Sequence, residues 1–437
     1  MANSYLTRTF GTPTDTKKYT MSVWVKRSKL GVQQSIARST NGNDDSHIFT
    51  FNSDDTLRMD EYGSSSSIGK LVTNRKFRDT SAWYHVVLWY DSANGTAGDR
   101  MRMWINGVEE TSFSTDTNPS VNAASAFNKA SQPINIGRTS YGSGGNYFDG
   151  YLAHMAFVDG STVAHTTFGE TDSTSGIWKF KSPSGVTWGN NGFHLKFENS
   201  GALGTDSSGN SNTFSVFGDL KQALDTPSNV NATLNPLNYT SSAITYSNGN
   251  NKATYPGAWM ASLGTMGVQA GKYYWEAKVV SGNNANLFYG ISTDAVDLDT
   301  SPQNKAGVIS QHINGDRYVD TTYTAGAAQA LVNGDILGVA LDLDSGTKTV
   351  KFYKNGSLLT SSSSINLTST FDNEFVFPIF IGNNSSASSI WEVNFGNGFF
   401  GTTAITSAGS NGNGSLFEYD VPSGFYALNT KNINTYG

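Results

Sequence analysis

The chain has 437 residues, of which 37% are hydrophobic, 12% aromatic and only 15% charged. That apolar content excludes wholesale disorder, and the length suits two large β domains better than three average ones. Lys and Arg number 29 against 35 Asp and Glu, a net charge of −6 with no long basic run. The footprint that duplex DNA or anionic lipid needs is missing, so neither nucleic-acid binding nor membrane insertion is expected.

With no cysteine, a disulfide framework, a thiolate zinc site and a cysteine nucleophile are all excluded. Residues 1–10 (MANSYLTRTF) lack the apolar core of a signal peptide, so folding in a reducing cytosol is expected. Glycine, at 46 residues, exceeds its usual share of about 7%. Together with abundant Ser, Thr and Asn it predicts short strands and many turns.

In chain order, Tyr19, Met21, Val23 and Val25 alternate with Thr20, Ser22, Trp24 and Lys26, the period of a strand. Val86-Val87-Leu88-Trp89 is a continuous apolar run, as suits a strand deep in a sandwich. Met101, Met103 and Ile105 alternate with polar or amphipathic neighbours and meet Asn106-Gly107, a hairpin turn signal. Residues 121–129 and 221–224 are the only stretches with some helical propensity, and both are short. Residues 221–243 carry Pro227 and Pro236 among Asn, Ser and Thr, which predicts an extended linker. Beyond it, Ile336-Leu337-Gly338-Val339-Ala340-Leu341 is a second continuous run, and Val350 and Phe352 alternate up to Asn355-Gly356. The fold class expected is all-β: two antiparallel β-sandwiches over residues 1–220 and 244–437, joined by the linker 221–243. Stacking two sheets about 10 Å apart buries the faces that either alone would expose.

Residues 19–27 (YTMSVWVKR), 83–91 (WYHVVLWYD), 101–107 (MRMWING), 134–137 (INIG) and 148–157 (FDGYLAHMAF) resemble, in that order, laminin-G-like domains of the concanavalin-A-like superfamily. The resemblance covers about residues 4–159 and implies a jelly-roll sandwich. Residues 192–216 either complete that sandwich or bridge to the second domain. Residues 271–279 (GKYYWEAKV), 333–344 (NGDILGVALDLD), 349–356 (TVKFYKNG) and 391–396 (WEVNFG) resemble a SPRY domain over about residues 255–398. That implies a sandwich binding protein partners through loops at one end, with no catalytic centre. Residues 172–178, 192–212 and 224–237, with the tail 417–433, resemble structural proteins of tailed bacteriophages.

The superfamily's retaining glucanases carry Glu-x-Asp-x-x-Glu, which sets two carboxylates on one strand face. Here Glu170-Thr171-Asp172 starts the pattern but Ser175 takes the second Glu's place. Asp44-Asp45 and Asp54-Asp55 are adjacent pairs, read as solvated loop charges. His85 is read as structural because no partner nucleophile is visible. No catalytic residue is assigned.

For ligand contact, Tyr141, Asn146 and Tyr147 lie in a Gly-rich loop with flat rings and an amide suited to a sugar, while Tyr255 and Trp259 precede the SPRY-like core. For Ca²⁺, the secondary candidates are Asp206, Asn210, Asp342 and Asp344, although turn chemistry suffices to explain all four. No cofactor is expected.

The function expected is non-enzymatic: a phage virion surface protein, in a tail fibre, tail spike or head fibre, binding host-surface glycan or protein. Other virion proteins and copies of the same chain would be its partners. Capsid decoration is the first alternative. A cellular adhesin or a glucanase-like enzyme is disfavoured.

Overall fold

In the computed structural model the chain divides into two compact units, Met1–Gln222 and Ala223–Gly437. The structure describes residues 4–40, 45–63, 66–139, 145–239, 243–257, 259–281, 286–294, 296–298, 300–359, 364–383 and 389–437. Among these, almost all regular structure is β.

The first unit stacks an eight-stranded sheet on a six-stranded one. The six-stranded sheet runs Phe193–Leu195, Gly150–Asp159, Lys18–Arg27, Tyr84–Asp91, Met101–Ile105, Val108–Glu110, each strand antiparallel to its neighbours. The alternation read from sequence sets its two faces. Tyr19, Met21, Val23 and Val25 enter the inter-sheet core with Val86, Leu88, Met103 and Phe157. Residues 192–216 complete this sandwich: Phe193–Leu195 is an edge of one sheet, and Ser215–Phe217 pairs with Tyr5–Thr9 at the edge of the other.

The outward residues of the six-stranded sheet are buried as well, Trp24 to 3% exposure and Val87 to 0%. A third layer, residues 160–191, packs on this outward face. Its hairpin pairs Gly169–Thr171 with Trp178–Phe180. Phe168 packs on Ala156 and Val158, flanked by Val163, Val186 and Trp188. The run Val86–Trp89 lacks alternation because both of its faces are covered.

The second unit repeats this logic. A seven-stranded sheet packs on a nine-stranded one, and Ile336–Asp342 lies between Lys272–Ser281 and Thr349–Lys354. Trp275, Val339, Leu341, Phe352 and Trp391 form part of the inter-sheet core. The outward Tyr274 and Ala340 are covered by Phe417, Val421, Phe425 and Ala427 from the C-terminal tail. Tyr426–Ala427 also joins the sheet, parallel to Tyr273 and Tyr274.

Two expectations need correction. Residues 221–239, the described stretch of the expected linker before the undescribed 240–242, are no free linker. Leu234–Tyr239 is an edge strand of the seven-stranded sheet, and Ala232 and Leu234 are buried in the second core. Pro236 is tolerated because an edge strand leaves one side of its backbone unpaired. The short stretch 121–129, with its slight helical propensity, forms turns, and the helix of the chain's described residues lies elsewhere. Among the described residues the α-helix is Thr430–Tyr436, started by the Asn429 side chain accepting from the Asn432 N–H, an N-cap that the polar tail sequence concealed.

Both Asn-Gly signals form the hairpin turns expected, with φ of 49° and 79° at Asn106 and Gly107 and of 49° and 78° at Asn355 and Gly356. Gly107 has a second role. A Cβ there would come within 2.4 Å of the Trp178 indole, and one at Gly169 within 2.5 Å. Two glycines therefore seat one ring. Gly107→Ala should cost about 1–3 kcal/mol in urea unfolding, from left-handed strain plus the displaced indole. Gly95→Ala, where nothing lies within 4 Å, should stay within about 0.5 kcal/mol.

Candidate functional site

Asn146 and Tyr147 lie just before the strand Gly150–Asp159 of the first sandwich. Tyr141 falls outside the described residues. The loop base is a short ladder: the Thr139 N–H donates to the Gly145 carbonyl at 3.0 Å, and the Phe148 N–H to Gly137 at 2.9 Å. The Asn146 carbonyl accepts from the Ser35 N–H at 2.8 Å, which ties the loop to the Gln34–Thr40 strand. Asn146 holds φ at 47°. Its side chain is exposed, and Tyr147 is half-buried beside it. The backbone of residues 145–148 is thus tied while the Asn146 amide and part of the Tyr147 ring remain accessible.

Tyr255 does not belong to any surface. It is 0% exposed, and its hydroxyl bonds Ser262 Oγ at 2.6 Å and the Phe380 carbonyl at 3.2 Å. Its strand, Lys252–Tyr255, runs beside Ser389–Asn394 in the nine-stranded sheet, and the ring points into the core. The expectation of a ligand contact there fails for this reason. Trp259 is half-buried against Phe288, with ring centroids 5.8 Å apart.

The acidic candidates are spent on turns. Asp206 Oδ1 accepts from the backbone N–H groups of His194 and Ser208, and its Oδ2 from Ser208 Oγ and the Asn212 N–H, at 2.8–2.9 Å. The Asn210 amide donates to the Gly189 and Gly192 carbonyls. Asp342 accepts from the N–H groups of Asp344 and Ser345 and from the Ser345 hydroxyl, and pairs with Lys272 at 2.9 Å. Burial pushes its carboxyl up, but Lys272 and Ser345 outweigh that and hold it below the usual range. Asp344 accepts from the Gly271 N–H at 2.6 Å. Among the described residues, no three His, Asp or Glu side chains converge as a metal site requires.

Other ionisable groups are structural too. Asp55, expected as a solvated loop charge, is 4% exposed and pairs with Arg27 and Arg78, each at 3.0 Å. Arg27 itself is buried, so each charge is held by its partner. Glu61 accepts from Tyr19 Oη, Ser125 Oγ and the Ala126 N–H at 2.7, 3.1 and 2.6 Å. Glu276 accepts from the N–H groups of Glu418 and Tyr419 at 2.8 and 2.9 Å and from Tyr274 Oη, which pins the tail to its sheet. Burial pushes Glu276 up to about 7, against the pull of those three donors.

One arrangement resembles a nucleophile and its base. Ser22 Oγ lies 2.8 Å from His85 Nε2. However, Trp178 Nε1 donates to His85 Nδ1 at 2.9 Å. An indole N–H can only donate, so Nδ1 is the bare nitrogen and Nε2 carries the proton. The imidazole donates to the serine and cannot take its proton. Burial, with His165 nearby, lowers the His85 pKa to about 3. The reading of His85 as structural thus has a geometric basis.

Family models match two parts of the chain: the concanavalin A-like lectin/glucanases superfamily over residues 2–166, and the SPRY domain over residues 272–397. The chain carries a concanavalin A-like domain followed by a SPRY domain. Similar solved structures include the SPRY domain of human HERC1, at 19% identity over 37% of this chain and 96% of that one, with a TM-score of 0.31. A human SPRY domain is 16% identical over 36% and 95%, with a TM-score of 0.28. A heptameric SAP-like pentraxin from Limulus polyphemus is 16% identical over 41% and 83%, with a TM-score of 0.30. No curated protein matches. Domains of these two kinds point to recognition roles. No helix among the described residues is long and apolar enough to cross a membrane.

The engaged carboxylates make a direct prediction. Asp206→Ala loses all four turn bonds and should cost about 1–3 kcal/mol in unfolding experiments. Calcium and a chelator should leave the melting temperature of the full chain unchanged. A rise of several degrees at millimolar calcium would show that these turns hold an ion.

Proposed function

We propose that the chain is a non-enzymatic surface protein of a tailed-bacteriophage particle, part of a tail fibre, tail spike or head fibre. It binds host-surface glycan or protein during adsorption. The lectin-like and SPRY domains support recognition as its task. The phage setting rests on the resemblance carried by residues 172–178, 192–212, 224–237 and 417–433.

The observation that carries the binding reading is the loop of Asn146 and Tyr147. The backbone of residues 145–148 is tied at three points, so contact through Asn146 and Tyr147 needs little ordering of these residues, which lowers the cost of binding. An amide and an aromatic edge suit a pyranose, with its hydroxyls and flat apolar face. Trp259, just before the residues matched to the SPRY domain, is retained as a second contact. The wiring of His85 and the engagement of Asp55, Glu61, Asp206 and Glu276 favour binding over chemistry. Single-site affinity is weak and becomes useful through several copies on one particle.

The full chain on an array of bacterial surface polysaccharides, with a pull-down on bacterial envelopes, tests this reading. The double variant Asn146→Ala/Tyr147→Ala should weaken binding at least about tenfold while leaving the melting temperature in place. Silence on both probes, or binding untouched by the variant, would remove the adsorption role from this loop.

A further inference from the structure

Of the six histidines in the chain, four lie between the six-stranded sheet of the first unit and the layer of residues 160–191 that covers it. Three of them stack an imidazole from one layer on an aromatic ring of the other, and His85 meets such a ring edge to edge. His154 of the sheet faces Phe180 at 3.5 Å, and His194 faces Trp188 at 5.8 Å. His85 meets Trp178 at 6.0 Å and accepts its N–H. His165, from the covering layer, stacks on Trp104 of the sheet at 5.4 Å. The Trp89 N–H adds one more tie, to the Val163 carbonyl at 2.7 Å.

These seats suit neutral imidazoles. A proton on His85 Nδ1 would set a donor against the Trp178 N–H and break that bond. His154 Nδ1 is buried with no hydrogen-bond partner, so a charge there has nothing to satisfy it.

The surrounding charges give little relief. His85 faces His165, which repels a second proton. His154 faces Glu198, but that carboxylate pairs with Lys196 at 3.5 Å, and Lys196 and His194 oppose a charge. His194 faces Asp206, whose oxygens are already engaged. His165 faces Glu109, which Arg102 holds at 2.5 Å. Burial is the largest cause at all four sites, lowering His85 to about 3 and His154 and His194 to about 4.

We propose that residues 160–191 form an acid-released strap: proton uptake by His85, His154 and His194 lifts it from the sheet and uncovers an aromatic face that includes Trp24, Trp89 and Trp104, while the two-sheet sandwich beneath stays folded.

The sign follows from linkage. A released histidine takes up its proton near pH 6.5, and a strapped one only well below that. The closed state is therefore fully favoured above about pH 6.5 and loses ground as pH falls toward 4. Each buried histidine contributes up to about tenfold per pH unit to opening, so three contribute up to about a thousandfold. The four stacked or hydrogen-bonded histidines lie on the strap side of the six-stranded sheet, outside the inter-sheet core beneath. The Asp55 pair that serves the sandwich holds its carboxyl below the usual range: burial pushes it up, but the Gly31 N–H, Arg78 and Arg27 outweigh that. It therefore protonates only at more acid pH than the histidine window. Strap and sandwich respond in separate ranges.

Hydrogen exchange of the full chain, read by mass spectrometry from about pH 7.5 to about pH 4.5 and corrected for intrinsic exchange, tests this. Peptides from residues 160–191 should lose at least about a hundredfold in protection between pH 7 and 5, while those covering Lys18–Arg27 keep theirs. His85→Gln preserves both bonds of the neutral ring without its titration, and should lower the pH slope of opening by about one proton. Strap protection that is unchanged down to pH 4.5, or lost only together with the core strands, would overturn the proposal. So would a variant that folds and opens with the wild-type slope. The wild-type series decides the matter by itself if the variant does not fold.

Discussion

Each domain depends on covering a sheet twice. A two-layer sandwich buries one face of each sheet, yet Trp24, Val87, Tyr274 and Ala340 are apolar and point away from the inter-sheet core. Fully burying one large apolar side chain contributes roughly 1.5–3 kcal/mol, so several such residues outweigh the ordering of a covering segment. The strap of residues 160–191 and the C-terminal tail supply that cover. Close approach explains the local chemistry: Gly107 and Gly169 make room for Trp178, and Glu276 accepts the tail's backbone N–H groups.

This constraint shapes what is left for function. The groups that could do acid–base work are committed to joining layers or closing turns. His85 holds the strap, Glu61 a loop, Asp55 two arginines and Glu276 the tail. Asn146 and Tyr147 keep polar and aromatic groups accessible on the tied backbone of residues 145–148. Such a body can select a partner by shape and hydrogen bonding.

Much of the fold was legible because its signals are local. Period-two alternation identified the inward residues of Lys18–Arg27, and the two Asn-Gly pairs identified their hairpins. The continuous runs around Val87 and Val339 marked strands with two buried faces, but nothing nearby in sequence named what covers the second face. The strap reads as Gly, Ser and Thr turns because its binding residues, Trp178, Phe180 and Trp188, are widely spaced. Their partners lie on distant strands. Leu234–Tyr239 was hidden by Pro236, and the final helix by a polar sequence whose start depends on one asparagine cap. Of the site residues, Asn146 and Tyr147 lie where loop composition places them. Tyr255 is in the core because strand pairing, invisible in composition, turns its ring inward.

Hydroxyl-radical footprinting of the full chain at neutral pH tests the double covering most directly. Trp24, Trp104, Tyr274 and Phe417 should be oxidised as slowly as the core residues Tyr19 and Trp391, and far more slowly than Tyr323 and Tyr436, which are 51% and 43% exposed. Oxidation of Trp24 at the rate of Tyr323 would mean that the strap does not cover its sheet, and oxidation of Tyr274 at that rate that the tail does not cover its own.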